Sequence, residues 1–150
     1  MTLDEWKRTL NVNLDSLFLC CKSVLPEMIR KEYGKIINFS SGTGKQPLSH
    51  RVPYATAKMG VIGFTRTLAA DVGRYNINVN AICPGGFMTD PNRRWVEEKP
   101  EVIEGFKRKV PRGEFGKPED LVPLAINLAS DAARYITGAA ILIDGGYTAW

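Results

Sequence analysis

Apolar residues recur through the first thirty positions with the period of a helix. Trp6, Leu10, Leu14, Leu17, Phe18, Cys21, Leu25 and Met28 fall along one stripe. Thr2, with Glu5 three residues later, has the form of a capping box and marks the start of that helix. Pro26 removes one backbone hydrogen bond inside the run and is expected to bend it. Tyr33-Gly34 is expected to end it. Residues 35–41, a short apolar run stopping at small polar residues, predict a buried strand. Residues 54–74 predict a second long helix, rich in Ala and Leu with Val61, Phe64, Leu68 and Val72 near one stripe. Residues 77–83 predict a strand cut off by Pro84-Gly85. Residues 89–109 read as helical but polar, interrupted by Pro91 and Pro100. Pro118 opens a further helix to about Ser130, and residues 140–144 predict a last strand closed by Gly145-Gly146.

Strands alternating with helices imply an α/β domain, with right-handed crossovers and a parallel sheet covered on both faces. In such sheets ligands bind beyond the carboxyl ends of the strands. Those ends are Ser40-Ser41-Gly42, Pro84-Gly85-Gly86 and Asp144-Gly145-Gly146, small residues that permit close backbone approach.

Composition narrows the classes. A chain of 150 residues, 44% hydrophobic and 24% charged, suits one globular domain and excludes disordered and fibrous classes. The net charge of +4 comes from 20 basic residues interleaved with 16 acidic ones, without the clustering that nucleic-acid binding needs. Arg93-Arg94 and Lys107-Arg108-Lys109 read as solvated helix faces. Cys20 and Cys21 lie in an apolar pattern and are expected to be small buried hydrophobes, with Cys83 left over. His50 is the sole histidine, so neither a disulfide framework nor a structural metal site is expected. No apolar run reaches bilayer length and no signal-peptide pattern opens the chain, so a soluble cytoplasmic protein is expected, without membrane partners.

The candidate chemistry lies at the start of the second long helix, in Tyr54-Ala55-Thr56-Ala57-Lys58. A spacing of four puts phenol and ammonium on one helix face. An ammonium beside a phenol favours the phenolate over its ordinary pKa of about 10. A phenol so tuned can give or take a proton at a reacting oxygen. Tyr-x-x-x-Lys alone is a weak signal, common on exposed helices. Ser41 stands 13 positions before Tyr54, and Asn13 stands 28 before Ser41. Ser40 offers the same hydroxyl chemistry, and only spacing favours its neighbour. Taken singly, Asn13 fits a helix gap-filler and Pro84-Gly85 a plain strand stop. Trp6, Trp95 and Trp150 read as packing or interface residues. Gly42-Thr43-Gly44-Lys45 looks like a phosphate-loop fragment, but no Gly-Lys-Ser/Thr follows and Pro47 breaks the helix it would need.

In chain order, Asn11-Val12-Asn13-Leu14, Ile37-Asn38-Phe39-Ser40-Ser41, Tyr54-x-x-x-Lys58 and Asn80-Ala81-Ile82-Cys83-Pro84-Gly85 closely resemble the short-chain dehydrogenase/reductase (SDR) family. Gly116-Lys117-Pro118-Glu119-Asp120 and Ile143-Asp144-Gly145-Gly146-Tyr147 resemble it too. The resemblance implies a partial Rossmann-type doubly wound parallel sheet of three strands with flanking helices, residues 1–150 being the C-terminal portion of one such domain. It implies an NAD(P)-dependent oxidoreductase interconverting a secondary alcohol and a ketone, of sugar-acid dehydrogenase or 3-oxoacyl-acyl-carrier-protein reductase type. By that resemblance Tyr54 is the acid/base. Lys58 binds the nicotinamide ribose and depresses the tyrosine's pKa. Ser41 donates to the substrate oxygen, and Asn13 fixes a water leading from Lys58 to solvent. Pro84, Gly85, Phe87 and Thr89 lie along the nicotinamide, with a backbone group near Phe87 at the carboxamide and Thr89 at the carboxamide or pyrophosphate. Residues 91–111 match the variable substrate lid. A homodimer or homotetramer is implied through the two long helices.

The glycine-rich Thr-Gly-x-x-x-Gly-x-Gly turn, the residue selecting NAD or NADP and the Asn-Asn-Ala-Gly strand of that family have no match here. The strand ending at Ser41 is therefore expected to leave a sheet edge uncovered, and this chain alone is expected to turn over little. Two alternatives keep the same residues. One is a non-catalytic truncated fragment retaining the oligomerisation helices. The other is a nucleotide-sugar epimerase or dehydratase, against which the Asn-Ala-Ile-Cys-Pro-Gly string and the Asp-Gly-Gly tail argue.

Overall fold

A computed structural model describes residues 1–44, 49–90, 98 and 100–149, the side chains of residues 100 and 102 excepted. Lys45, Pro47, Pro91, Arg93-Arg94, Trp95 and Trp150, singled out above, lie outside the described residues. Helix α1 spans Leu3–Leu10 and opens with the expected box: Glu5 N–H donates to Thr2 Oγ1 at 3.2 Å, and Thr2 N–H to the Glu5 carboxylate at 2.6 Å. The expected single helix is interrupted early, by a π-turn over Asn11–Asp15, before α2 continues through Ser16–Lys31. Pro26 is carried inside α2, so the break lies well before the proline. The helix also stops sooner than Tyr33-Gly34. Glu32 takes the left-handed conformation at φ 50°, and Tyr33 N–H closes the end onto Met28 O at 3.2 Å. Gly34 instead opens the first strand, where a Cβ would lie 2.7 Å from Met28 Sδ.

Strands β1 (Gly34–Phe39), β2 (Ile77–Pro84) and β3 (Ala140–Ile143) form a parallel sheet in the order β1-β2-β3, with Gly34 opposite Ile77 and Ala81 opposite Ala140. Helix α3 spans Val52–Val72 and is followed by a short 3-10 turn, Gly73–Tyr75, and by left-handed Asn76. Helix α4 spans Pro100–Lys107, the described part of the polar helical stretch. The helix expected from Pro118 begins as a 3-10 turn, Pro118–Leu121, and becomes α5 over Val122–Ala129.

The sheet separates two apolar cores, as a doubly wound arrangement requires. On one face Cys21, Ile36, Ala69, Val72, Ile77 and Val79 pack with Leu25, Met28, Phe64 and Leu68 of α2 and α3. On the other, Ile82, Leu128 and Ala133 pack with Leu124 and Ala125 of α5 and with Ile141 and Ile143. Cys21 is buried, which pushes its thiol pKa up, but Cys20 is exposed, against expectation. Helical geometry explains the difference, since successive residues point about 100° apart and one core stripe cannot take both. Every residue of β2 but Pro84 is buried, including Asn78 and Asn80. These amides replace the missing ladder at the start of β3. Asn80 donates to Ile136 O at 2.8 Å and accepts from Ala139 N–H at 3.0 Å, while Asn78 donates to Arg134 O and Ile136 O at 3.0 and 3.1 Å. Among the described residues β1 has one strand partner, β2.

Candidate active site

Three segments meet at the carboxyl end of the sheet, and close backbone approach brings them together. Beyond β1, residues 42–44 coil into a 3-10 turn. A Cβ on Gly44 would lie 2.8 Å from Ser40 Oγ and 3.1 Å from the Lys58 carbonyl oxygen, so the turn rests directly on α3. A Cβ on Gly42 would reach Pro84 O at 3.4 Å, so the same turn touches the end of β2. On the far side of β2, Gly85 N–H donates to Ile143 O at 3.0 Å, and a Cβ there would lie 2.7 Å from Asp144 Cα.

The two adjacent serines have different surroundings. Ser40 is buried, and its hydroxyl donates to Lys58 O at 2.7 Å. Ser41 is half-buried, and its Oγ accepts twice, from Thr43 N–H at 3.2 Å and Thr43 Oγ1 at 2.9 Å. Spacing favoured Ser41 in the sequence; of the two hydroxyls, that of Ser40 is the one engaged with the α3 backbone.

Tyr54 and Lys58 share one face of α3, with Lys58 Nζ 5.6 Å from the centre of the Tyr54 ring. The ammonium also donates to Phe39 O at 3.0 Å, tying the helix to the last residue of β1. Burial pushes the Lys58 pKa down. Asn13 sits in the π-turn, whose neighbour Leu14 packs on Gly60, two residues past Lys58; a Cβ on Gly60 would lie 2.9 Å from Leu14 Cδ2. The Asn13 side chain donates to Thr9 O at 3.0 Å, within its own helix. The fold thus brings Asn13 to α3, with its amide turned back on the helix. Single π-turns concentrate at functional sites, and nothing in the apolar periodicity signalled this one.

The loop after β2 is pinned by Gly116. Gly116 N–H donates to Gly86 O at 2.9 Å, and Met88 N–H donates to Gly116 O at 2.8 Å. This parallel bridge turns the N–H and C=O of Phe87 to the opposite side of the loop. The Phe87 ring is buried against Gly116, where a Cβ would meet it at 2.7 Å. Pro84, Gly85 and Thr89 are half-buried. A cavity of about 770 Å³ opens beside Met88, Thr89 and Asp90, and another of about 320 Å³ lies between Phe87, Phe115 and Asp144. Neither is lined by Ser41, Tyr54 or Lys58. His50, exposed at φ 62°, is not among the residues drawn together here. Among the described residues no cluster of three His, Cys, Asp or Glu side chains is poised for a metal, and no helix is long and apolar enough to cross a membrane.

Residues missed from the sequence include Thr43, which orients Ser41, and the carboxylate of Asp144. The latter accepts from Gly146 N–H, Thr148 N–H and Thr148 Oγ1 at 2.9, 3.0 and 2.7 Å, shaping the turn after β3. An Asp before a Gly-Gly pair is a usual turn signal, which offered a way to find it.

Residues 1–148 match the family model described as enoyl-(acyl carrier protein) reductase. The chain is 38% identical over 146 residues to the 3-oxoacyl-[acyl-carrier-protein] reductase FabG of Aquifex aeolicus, covering 97% of this chain and 58% of that protein. It is 39% identical over 146 residues to an NAD-dependent glycerol dehydrogenase of Listeria innocua, covering 97% of this chain and 56% of the relative. Among solved structures, a gluconate 5-dehydrogenase from Burkholderia cenocepacia in complex with NADP and tartrate superposes with a TM-score of 0.95 at 33% identity. That superposition covers 100% of this chain and 58% of the other. The chain therefore spans rather more than half the length of the relatives it matches.

Proposed function

The chain belongs to the short-chain dehydrogenase/reductase family, and from that premise we propose that it carries the chemical centre of an NAD(P)-dependent oxidoreductase interconverting a secondary alcohol and a ketone. In this reading it is the C-terminal portion of one Rossmann-type domain. The observation that carries the reading is the common footing of the three groups. Ser40 and Gly44, on either side of Ser41, both abut the carbonyl of Lys58, which supports a serine turn close to α3, the helix that carries Tyr54 and Lys58 on one face.

The residues present suit a nicotinamide nucleotide. Room opens beside Met88 and Thr89. Lys58 and Tyr54 would hold the ribose, with Pro84, Gly85, Phe87 and Thr89 along the nicotinamide. When bound, the nucleotide supplies the hydride. Tyr54 passes a proton to the oxygen of a ketone, or takes one from an alcohol. Ser41 donates a hydrogen bond where charge develops on that oxygen. Lys58 holds positive charge near the phenol, and Asn13 would fix a water leading from Lys58 to solvent. Sugar-acid or 3-oxoacyl substrates suit the relatives matched. Assembly into a homodimer or homotetramer is supported by exposed apolar residues on the long helices, Phe18 and Leu19 on α2 and Met59 on α3.

The test is Tyr54→Phe in the protein that carries this chain, assayed by NAD(P)H oxidation with a panel of ketones. Loss of the proton donor lowers kcat by roughly 10²- to 10⁴-fold and leaves cofactor affinity nearly unchanged. Wild-type turnover in that variant removes Tyr54 from the role. Absence of turnover in the unmutated protein leaves the non-catalytic reading standing.

A further inference from the structure

The turn after β3 makes contacts that the proton-transfer groups do not account for. Tyr147 stacks on Phe106 of α4, ring centres 5.4 Å apart and planes inclined by 21°. Phe106 stacks in turn on Phe115 at 4.5 Å and 22°. The far end of this column rests on Gly86, where a Cβ would run into the Phe106 ring and lie 3.1 Å from Phe115 Cδ1. The same turn grips the segment following α4 in two further places. Arg112 N–H donates to Gly145 O at 3.1 Å, and Gly146 lies against Pro111, where a Cβ would approach Cγ at 2.8 Å. Val110, between α4 and this segment, is buried. The turn itself is stiff, because the Asp144 carboxylate holds three of its donors.

We propose that Tyr147 is a positioning residue that fixes α4 over the loop 84–88. Resting on the oxidoreductase reading above, the column Tyr147–Phe106–Phe115 sets how closely α4 approaches the reacting centre, and so sets substrate affinity from the β3 edge of the sheet. Three rings stack in a row, two of them, Phe106 and Phe115, against Gly86: remove Tyr147 and Phe106 loses a face. Aromatic pairs of this separation attract one another beyond the area they bury. The hydroxyl of Tyr147 has no part in the arrangement, so a phenylalanine there is expected to serve equally.

The experiment compares Tyr147→Ala and Tyr147→Phe with the unmutated protein by amide hydrogen exchange and by steady-state kinetics. In Y147A the amides of α4 exchange at least tenfold faster, while those of β2 keep their protection; in Y147F both keep it. With a ketone substrate Y147A raises KM about tenfold and changes kcat less than threefold, and Y147F restores both. Exchange in α4 of Y147A within twofold of the unmutated protein overturns the proposal. So does equal acceleration of β2, which reduces Tyr147 to a contributor to global stability, and so does a Y147F protein as loosened as Y147A. If the unmutated protein shows no turnover, the oxidoreductase reading fails, while the exchange measurement still decides whether Tyr147 holds α4.

Discussion

On the α3 side of the candidate site, the serine turn is held by short polar contacts: Ser40 to the Lys58 carbonyl, Thr43 to Ser41, and the Lys58 ammonium to Phe39 O. On the α4 side, the loop after β2 is held by rings and glycines, with Phe106 on Gly86, Phe87 on Gly116 and Gly85 against the backbone of Asp144. Polar contacts are directional, and each fixes one atom of a reacting group. Ring-on-glycine contacts fix the distance between whole segments and tolerate sliding along the ring face. The first wall therefore suits groups that move a proton, and the second suits a boundary that must fit a substrate.

Substitutions at neighbouring positions sharpen this contrast. Ser41→Ala removes the hydroxyl and is expected to lower kcat by about 10²- to 10³-fold, as loss of an oxyanion donor does, with little change in Tm. Ser40→Ala removes the second donor to the Lys58 carbonyl, which keeps its helical one, and is expected to cost about 0.5–1.5 kcal/mol of stability. The larger kinetic effect should stay with Ser41. Kinetics and thermal unfolding of the two variants decide it, and the reverse pattern would exchange the roles of the two serines.

On the other wall, Gly85→Ala drives a Cβ to 2.7 Å from Asp144 Cα, a backbone atom that cannot swing aside. About 1–3 kcal/mol of destabilisation is expected from such overpacking. Gly63→Ala, inside α3 with nothing within 4 Å of its Cβ, is the counterpart and is expected to stabilise by about 0.5–1 kcal/mol. Chemical denaturation of both separates crowding from backbone freedom. If G85A proves neutral, the loop after β2 is looser than these contacts require.

The smallest effect is electrostatic. The Lys58 pKa is lowered in the folded chain by burial, relative to 10.5. Below the folded value both folded and unfolded states carry the proton, and the folded ammonium bears a constant desolvation cost. Between the folded value and 10.5 the unfolded chain binds more protons, so stability rises with pH and then levels off. Against Lys58→Met, the unmutated chain should therefore gain stability through the window just below pH 10.5. Urea unfolding across that window that runs parallel for both proteins would show Lys58 to be freely solvated.

The polar wall was legible because its parts lie close in sequence and are named by residue type. A Tyr and a Lys one turn apart share a helix face in any helix, and a Ser at a strand end lies at the sheet's carboxyl edge. The fold class was legible for a similar reason, since alternating periods of helix and strand dictate a parallel sheet covered on both faces. Less could be read where one pattern allows two outcomes. The apolar pattern led both Cys20 and Cys21 to be expected buried, yet of the two only Cys21 reaches the core. The same spacing ran unbroken through Asn11–Asp15, although the chain inserts a π-turn there to meet Gly60.

What the sequence determined by itself was the order of elements, the small residues at the strand ends, and a Tyr and a Lys on one helix face. Tertiary structure alone decided that Ser40, of two adjacent serines, donates to the Lys58 carbonyl. It also decided that β2, buried along nearly all its length, uses Asn78 and Asn80 to hold the residues before β3, and that Tyr147, Phe106 and Phe115 form one column. The physical reason is range. Backbone period and side-chain chemistry are local properties, whereas hydrogen-bond partners and ring contacts depend on segments that meet only after the sheet has formed.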